Sequence, residues 1–141
     1  MSAEGNGRRR ILVVDGDPRE RGQAVDALNQ GGYQVDSAAT KAEVISLLAR
    51  HDYDLVLSDL KMPDLNGPAF YQMLKESTRG AIPRVIFSIH KGYTPEYANF
   101  LMRLAAPVLM KPASAADLCL AVERQLPQAP AAPQAASSLA S

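Results

Sequence analysis

Five short apolar runs alternating with five amphipathic stretches predict an α/β fold, a doubly wound parallel sheet covered by helices on both faces. Three observations carry that prediction. Residues 11–14, 55–57 and 85–87 are almost continuously apolar, the pattern of strands buried on both sides rather than on one. Between successive runs, apolar residues recur at helical spacing, and a parallel pair needs such a crossover. Four of the five runs end on a polar group, namely Asp15, Asp59, Ser88 and Lys111. In an open parallel sheet these ends share one edge, the edge where ligands bind.

The elements follow in order. Residues 11–14 form a β-branched strand ending at Asp15. Asp17, Pro18 and Glu20 then read as a helix start, with Asp17 as N-cap, Pro18 at the first helical position and Glu20 completing a capping box. Ala24, Val25 and Leu28 mark its inner face, and Gly31-Gly32 stop it. Residues 33–38 are a weaker strand, and Thr40 with Glu43 makes a second capping box before Val44, Leu47 and Leu48. The strand ending at Asp59 follows. Gly67-Pro68 opens a third helix with Phe70, Met73 and Leu74 inward, and Pro83 precedes the strand 85–88. Thr94-Pro95-Glu96 starts a fourth helix whose stripe is Tyr97, Phe100, Leu101 and Leu104. A short fifth strand, 108–110, ends at Lys111-Pro112; Ser114 caps a helix with Leu118, Ala121, Val122 and Leu126 inward. Residues 1–8 are expected to be a disordered N-terminus and 9–126 the folded domain. Residues 127–141, all Pro, Ala, Gln, Ser and Leu, are expected to be a flexible tail.

The composition narrows the function. Fifteen basic and fifteen acidic residues cancel, so no global field recruits nucleic acid or an anionic membrane. Arg8, Arg9 and Arg10 are expected to be a solvated approach to the first strand. Cys119 has no partner for an internal disulfide, and no apolar run is long enough for a bilayer or a signal sequence, which fits a cytoplasmic setting. Two histidines and one cysteine are too few soft ligands for zinc. Two carboxylates, a hydroxyl and an ammonium on one rim suit a divalent cation and a phosphoryl group.

The segments Ile11-Leu12-Val13-Val14-Asp15, Asp59 with Met62-Pro63-Asp64 and Gly67, Ser88, and Lys111-Pro112 together resemble the receiver domain of two-component response regulators over residues 9–126. The resemblance is close to receivers of hybrid sensor kinases at the fifth strand. It implies a flavodoxin-like strand order, 2-1-3-4-5, with five helices. It also implies Asp59 as phosphoacceptor, Lys111 as the ammonium pairing with acceptor or phosphoryl group, and Ser88 as the hydroxyl that turns toward a phosphoryl oxygen. Mg²⁺ is the implied cofactor, held by Asp15, Asp59 and the Lys61 backbone carbonyl, and Lys111-Pro112 is implied to be cis. A histidine kinase or phosphotransfer protein would donate the phosphoryl group, and a downstream protein, or a second copy in a homodimer, would read it. The chain is then a phosphoacceptor and not an enzyme.

Three positions depart from the family pattern. Asp15 is followed by Gly16 where the family has a second acid, which weakens Mg²⁺ binding unless Asp17 replaces it as ligand. Ile89 follows Ser88 where a small residue is usual, and is expected to crowd the phosphoryl group. Val108 stands where many receivers carry a switching aromatic ring. These departures motivate a second reading, a pseudo-receiver that binds partners without phosphorylation. A third comes from residues 11–17, which also resemble the first motif of haloacid-dehalogenase-type phosphatases, with Asp15 as nucleophile and Asp17 as acid/base. His90 is expected in a solvated loop and His51 at a helix end, while Tyr93 and Tyr97 anchor the fourth helix.

Overall fold

The computed structural model of the chain describes residues 8–62, 64–77, 82–90 and 95–126. Expectations about residues 1–7, Pro63, Tyr93, Thr94 and 127–141 lie outside the described residues. Among those described, five main strands and five helices alternate: β1 (Arg10–Val14), α1 (Pro18–Gln30), β2 (Gln34–Ala38), α2 (Lys41–Arg50), β3 (Leu55–Asp59), α3 (Gly67–Ser77), β4 (Arg84–Ile89), α4 (Pro95–Leu104), β5 (Val108–Met110) and α5 (Ala115–Gln125). The strands form one parallel sheet of order β2-β1-β3-β4-β5. Two-residue strands at Lys61–Met62 and Leu65–Asn66 pair antiparallel between β3 and α3.

Strand alternation divides the core in two. Leu12, Val14, Val56, Val85 and Phe87 pack with Val44, Phe70, Leu74 and Leu101 of α2, α3 and α4. Ile11, Val13, Leu55, Leu57 and Ile86 face the other way, onto Ala27 and Leu28 of α1 and Leu118 and Val122 of α5. Side chains two apart on a strand share a face, so one apolar run supplies both cores. The weak periodicity of β2 and β5 has its reason in their places at the two sheet edges.

Local chemistry corrects several sequence expectations. Asp17 caps α1, its Oδ1 accepting from Arg19 and Glu20 N–H at 2.9 and 3.2 Å, but Glu20 does not close a capping box. The Asp17 N–H donates instead to Asp15 Oδ1 at 2.9 Å, which leaves the Glu20 carboxylate for another use. At α2, Thr40 Oγ1 accepts from Glu43 N–H, while the Glu43 carboxylate accepts from Ala39, one residue before the cap. On α1 the buried residues are Ala27 and Leu28, with Ala24 and Val25 only partly covered. The arginines are also more engaged than a solvated stretch: Arg8 donates to the Gly32 and Tyr33 carbonyls, Arg9 pairs with Asp54 and Arg10 with Asp36. Helix α4 ends at Ala105, whose N–H donates to the Leu101 carbonyl and whose φ of 55° is a left-handed conformation usually given to glycine.

Candidate functional site

The sheet register brings the four polar strand ends to one rim. Asp59 ends β3 directly beside Ser88 of β4. The chain leaves β1 at Asp15, whose N–H donates to the Ala38 carbonyl, and leaves β5 at Lys111, whose N–H donates to the Ile89 carbonyl. Asp15 and Ser88 are buried. The Lys111-Pro112 bond is cis.

Lys111 is the hub. Its Nζ donates to Asp15 Oδ2 at 2.8 Å and to Glu20 Oε1 at 2.7 Å, and lies 3.8 Å from Asp59 Oδ2. The first two are charge-assisted hydrogen bonds, whereas the third is a Coulombic contact beyond hydrogen-bond length. Burial alone would push the ammonium toward its neutral form. Hydrogen bonds to Asp15 and Glu20 and the charge of Asp59 outweigh it, and the Lys111 pKa is raised above the ordinary lysine value.

Glu20 is the member of the cluster that sequence reasoning missed. A capping box was a sufficient account of an acid three residues after Asp17, and nothing in the spacing pointed it toward a lysine 91 positions away. Asp17, the alternative metal ligand, is turned to the helix end, where the N–H groups of Glu20 and Arg19 hold its pKa low. The geometry therefore gives a ligand role for Asp17 no support. Arg21, also unforeseen, donates to the Asp15 carbonyl at 2.9 Å and fixes the turn after β1.

Other positions fall where their chain neighbours put them. Ile89 does not crowd the rim: it is 2% exposed and packs into the core beside Phe87, because strand alternation turns it to the face opposite Ser88. Val108 is half-exposed on β5. His90 Nε2 lies 3.6 Å from Glu20 Oε2. Asp64, part of the motif after Asp59, accepts from the Lys41 N–H at 3.0 Å and so ties that loop to the start of α2. Asn66 caps α3 by accepting from the Ala69 N–H. Asp15, Glu20, Ser88 and Lys111 also line a cavity of about 460 Å³ between α1 and α5, and Asp59 is not among its lining residues.

A metal is tested by its donors. Among the described residues no three His, Cys, Asp or Glu side chains form a ready-made metal cage. Two carboxylates sharing one ammonium still fit Mg²⁺, which is commonly bound by one or two carboxylates, waters and phosphate oxygens. Lys61, the source of the expected carbonyl ligand, lies two residues past Asp59 in the small strand paired with Asn66.

Strand order and rim define an α/β domain of the flavodoxin-like class. The model of the response regulator receiver domain matches residues 11–123, and the chain belongs to that family. It is 37% identical over 78 residues to Protein PilH of Pseudomonas aeruginosa, a match covering 55% of this chain and 64% of that protein. It is 33% identical over 75 residues to the Sensor histidine kinase RcsC of Salmonella typhimurium, covering 53% of this chain and 8% of that one. The solved chemotaxis response regulator CheY4 of Vibrio cholerae has the same fold, with a TM-score of 0.74 at 22% identity over 84% of this chain and 99% of that chain. The matched stretch is thus under two thirds of PilH and a small part of RcsC.

Proposed function

We propose that this receiver takes a phosphoryl group on Asp59 from a histidine kinase or phosphotransfer protein in the cytoplasm, and passes the signal on through protein contacts. The observation that carries the reading is Lys111 Nζ, which gathers Asp15 and Glu20 by hydrogen bonds within 3.8 Å of Asp59, with Ser88 in register beside the acceptor. In the transfer an Asp59 carboxylate oxygen attacks phosphorus in line. The new P–O bond forms as the P–N bond to the donor imidazole breaks, and the electron pair returns to the ring nitrogen. Lys111 neutralises charge on a phosphoryl oxygen, and the Ser88 hydroxyl donates to another once it arrives. Asp15, Asp59 and the Lys61 carbonyl would hold Mg²⁺, which would supply positive charge to offset that of the carboxylates and the incoming phosphoryl group.

The phosphatase reading lacks its acid/base, because the Asp17 carboxylate accepts from the first N–H groups of α1. Incubation with acetyl phosphate and Mg²⁺, followed by peptide mass spectrometry, tests the assignment. The expected product is a hydroxylamine-labile phosphoryl group on Asp59, absent from Asp59→Asn. Label on Asp15 supports the phosphatase, and no label with any donor supports the pseudo-receiver.

A further inference from the structure

We infer that Glu20 stands in for the acid missing at position 16, as a positioning residue that holds the Lys111 ammonium off Asp59 in the resting protein. The inference rests on the reading of Asp59 as acceptor. Gly16 leaves the residue after Asp15 without a carboxylate. Glu20, in the first turn of α1, reaches the same ammonium with a longer side chain. Its contact with Nζ, at 2.7 Å, is as short as that of Asp15, whereas Asp59 remains at 3.8 Å. Two of the three ammonium protons are thereby directed away from the acceptor.

That commitment has a chemical consequence. An ammonium hydrogen-bonded to Asp59 would mask a nucleophilic oxygen and compete with a divalent cation for it. With Glu20 as its second partner, Lys111 stays beside the acceptor without covering it. The capping interaction expected of an acid at this position is given up, and the Asp17 N–H is satisfied by Asp15 instead. The far oxygen of Glu20 lies 3.6 Å from His90 Nε2, beyond hydrogen-bond length, so Lys111 is the closer partner of this carboxylate.

Glu20→Gln keeps the shape and removes the charge. In metal-free crystals of this variant Lys111 Nζ is expected to move within hydrogen-bond distance of Asp59 Oδ2. The rate of phosphorylation by acetyl phosphate should fall several-fold, and the Mg²⁺ concentration for half-maximal rate should rise. Adding Gly16→Asp should return Nζ, rate and Mg²⁺ dependence toward the parent values, which a purely structural role of Glu20 would not do. Glu20→Ala, lacking the amide, should behave like Glu20→Gln. An Nζ that stays in place in both single variants overturns the inference, as does a shift that Gly16→Asp fails to reverse. The crystallographic readout needs no phosphoryl transfer, so failure of the wild-type chain to take label would reject the Asp59 reading while leaving the Glu20 test decisive.

Discussion

Gly67→Ala is the substitution whose effect follows most directly from the packing. Gly67 is buried at the start of α3, and a Cβ placed there meets the Leu60 Cδ1 in a steric overlap, with Phe100 Cε2 at 3.3 Å. Leu60 is itself 1% exposed, so its Cδ1 can give way only by shifting within a packed core. Alanine at a helical position gains at most about 1 kcal/mol over glycine, less in a first turn. Overpacking a filled core costs about 1–3 kcal/mol, so the variant should be less stable by about 1–2 kcal/mol, a fall in Tm of roughly 4–10 °C. Function should suffer too, because Leu60 follows Asp59 directly and its backbone is held from both sides. Its N–H donates to the Ser88 carbonyl at 2.9 Å and its carbonyl accepts from Gly67 at 2.7 Å. Thermal melts of Gly67→Ala, Leu60→Ala and the double variant form a cycle. The alanine at 67 should cost far less once Leu60 is truncated. A Gly67→Ala protein as stable as the parent, or a double variant whose losses simply add, refutes the steric argument.

Three further outcomes can be checked by denaturant titration. Lys111→Met removes the cation from between the buried Asp15 and two other carboxylates, and should cost about 3 kcal/mol; a loss under about 0.5 kcal/mol would mean the cluster is held by other contacts. Tyr53 donates its hydroxyl to Asp36 at 2.7 Å, and burial, then that bond, raise its pKa above the usual 10.0. Tyr53→Phe should therefore be less stable by about 1.5 kcal/mol near neutral pH. Above about pH 10 the unfolded tyrosine ionises first, so the contribution of Tyr53 declines as pH rises and the gap between the proteins should narrow; a gap unchanged at about pH 11 contradicts the linkage. Ala105→Gly relieves the left-handed backbone at the end of α4 and should add up to about 1 kcal/mol of stability, with a loss counting against the strain.

The fold was legible because its signals repeat. Each strand in the middle of the sheet is apolar on both faces, and each crossover carries its own stripe, so the alternation survives errors at any single boundary. The edge strands read weakly for the reason that edges bury less. Strand order required the family resemblance, since apolar periodicity does not say which strands are neighbours. The place of Ile89 follows from its parity on β4 rather than from its position in the motif: counting by twos from Phe87 puts it in the core.

Glu20 was illegible for a different reason. Its local sequence context offered a complete explanation, a capping box, and the competing partner lay at the far end of the sheet's chain order. The charge balance of the site decides between the two. A helix-terminal N–H contributes one neutral donor, which Asp15 can satisfy, whereas a mostly buried ammonium requires ionic partners. With Gly16 supplying none, the Glu20 carboxylate pairs with Lys111, and the cap is completed by Asp17 alone. A missing acid in a motif is therefore a reason to inspect acids one helical turn downstream, because the cation that the motif serves is still present and still buried.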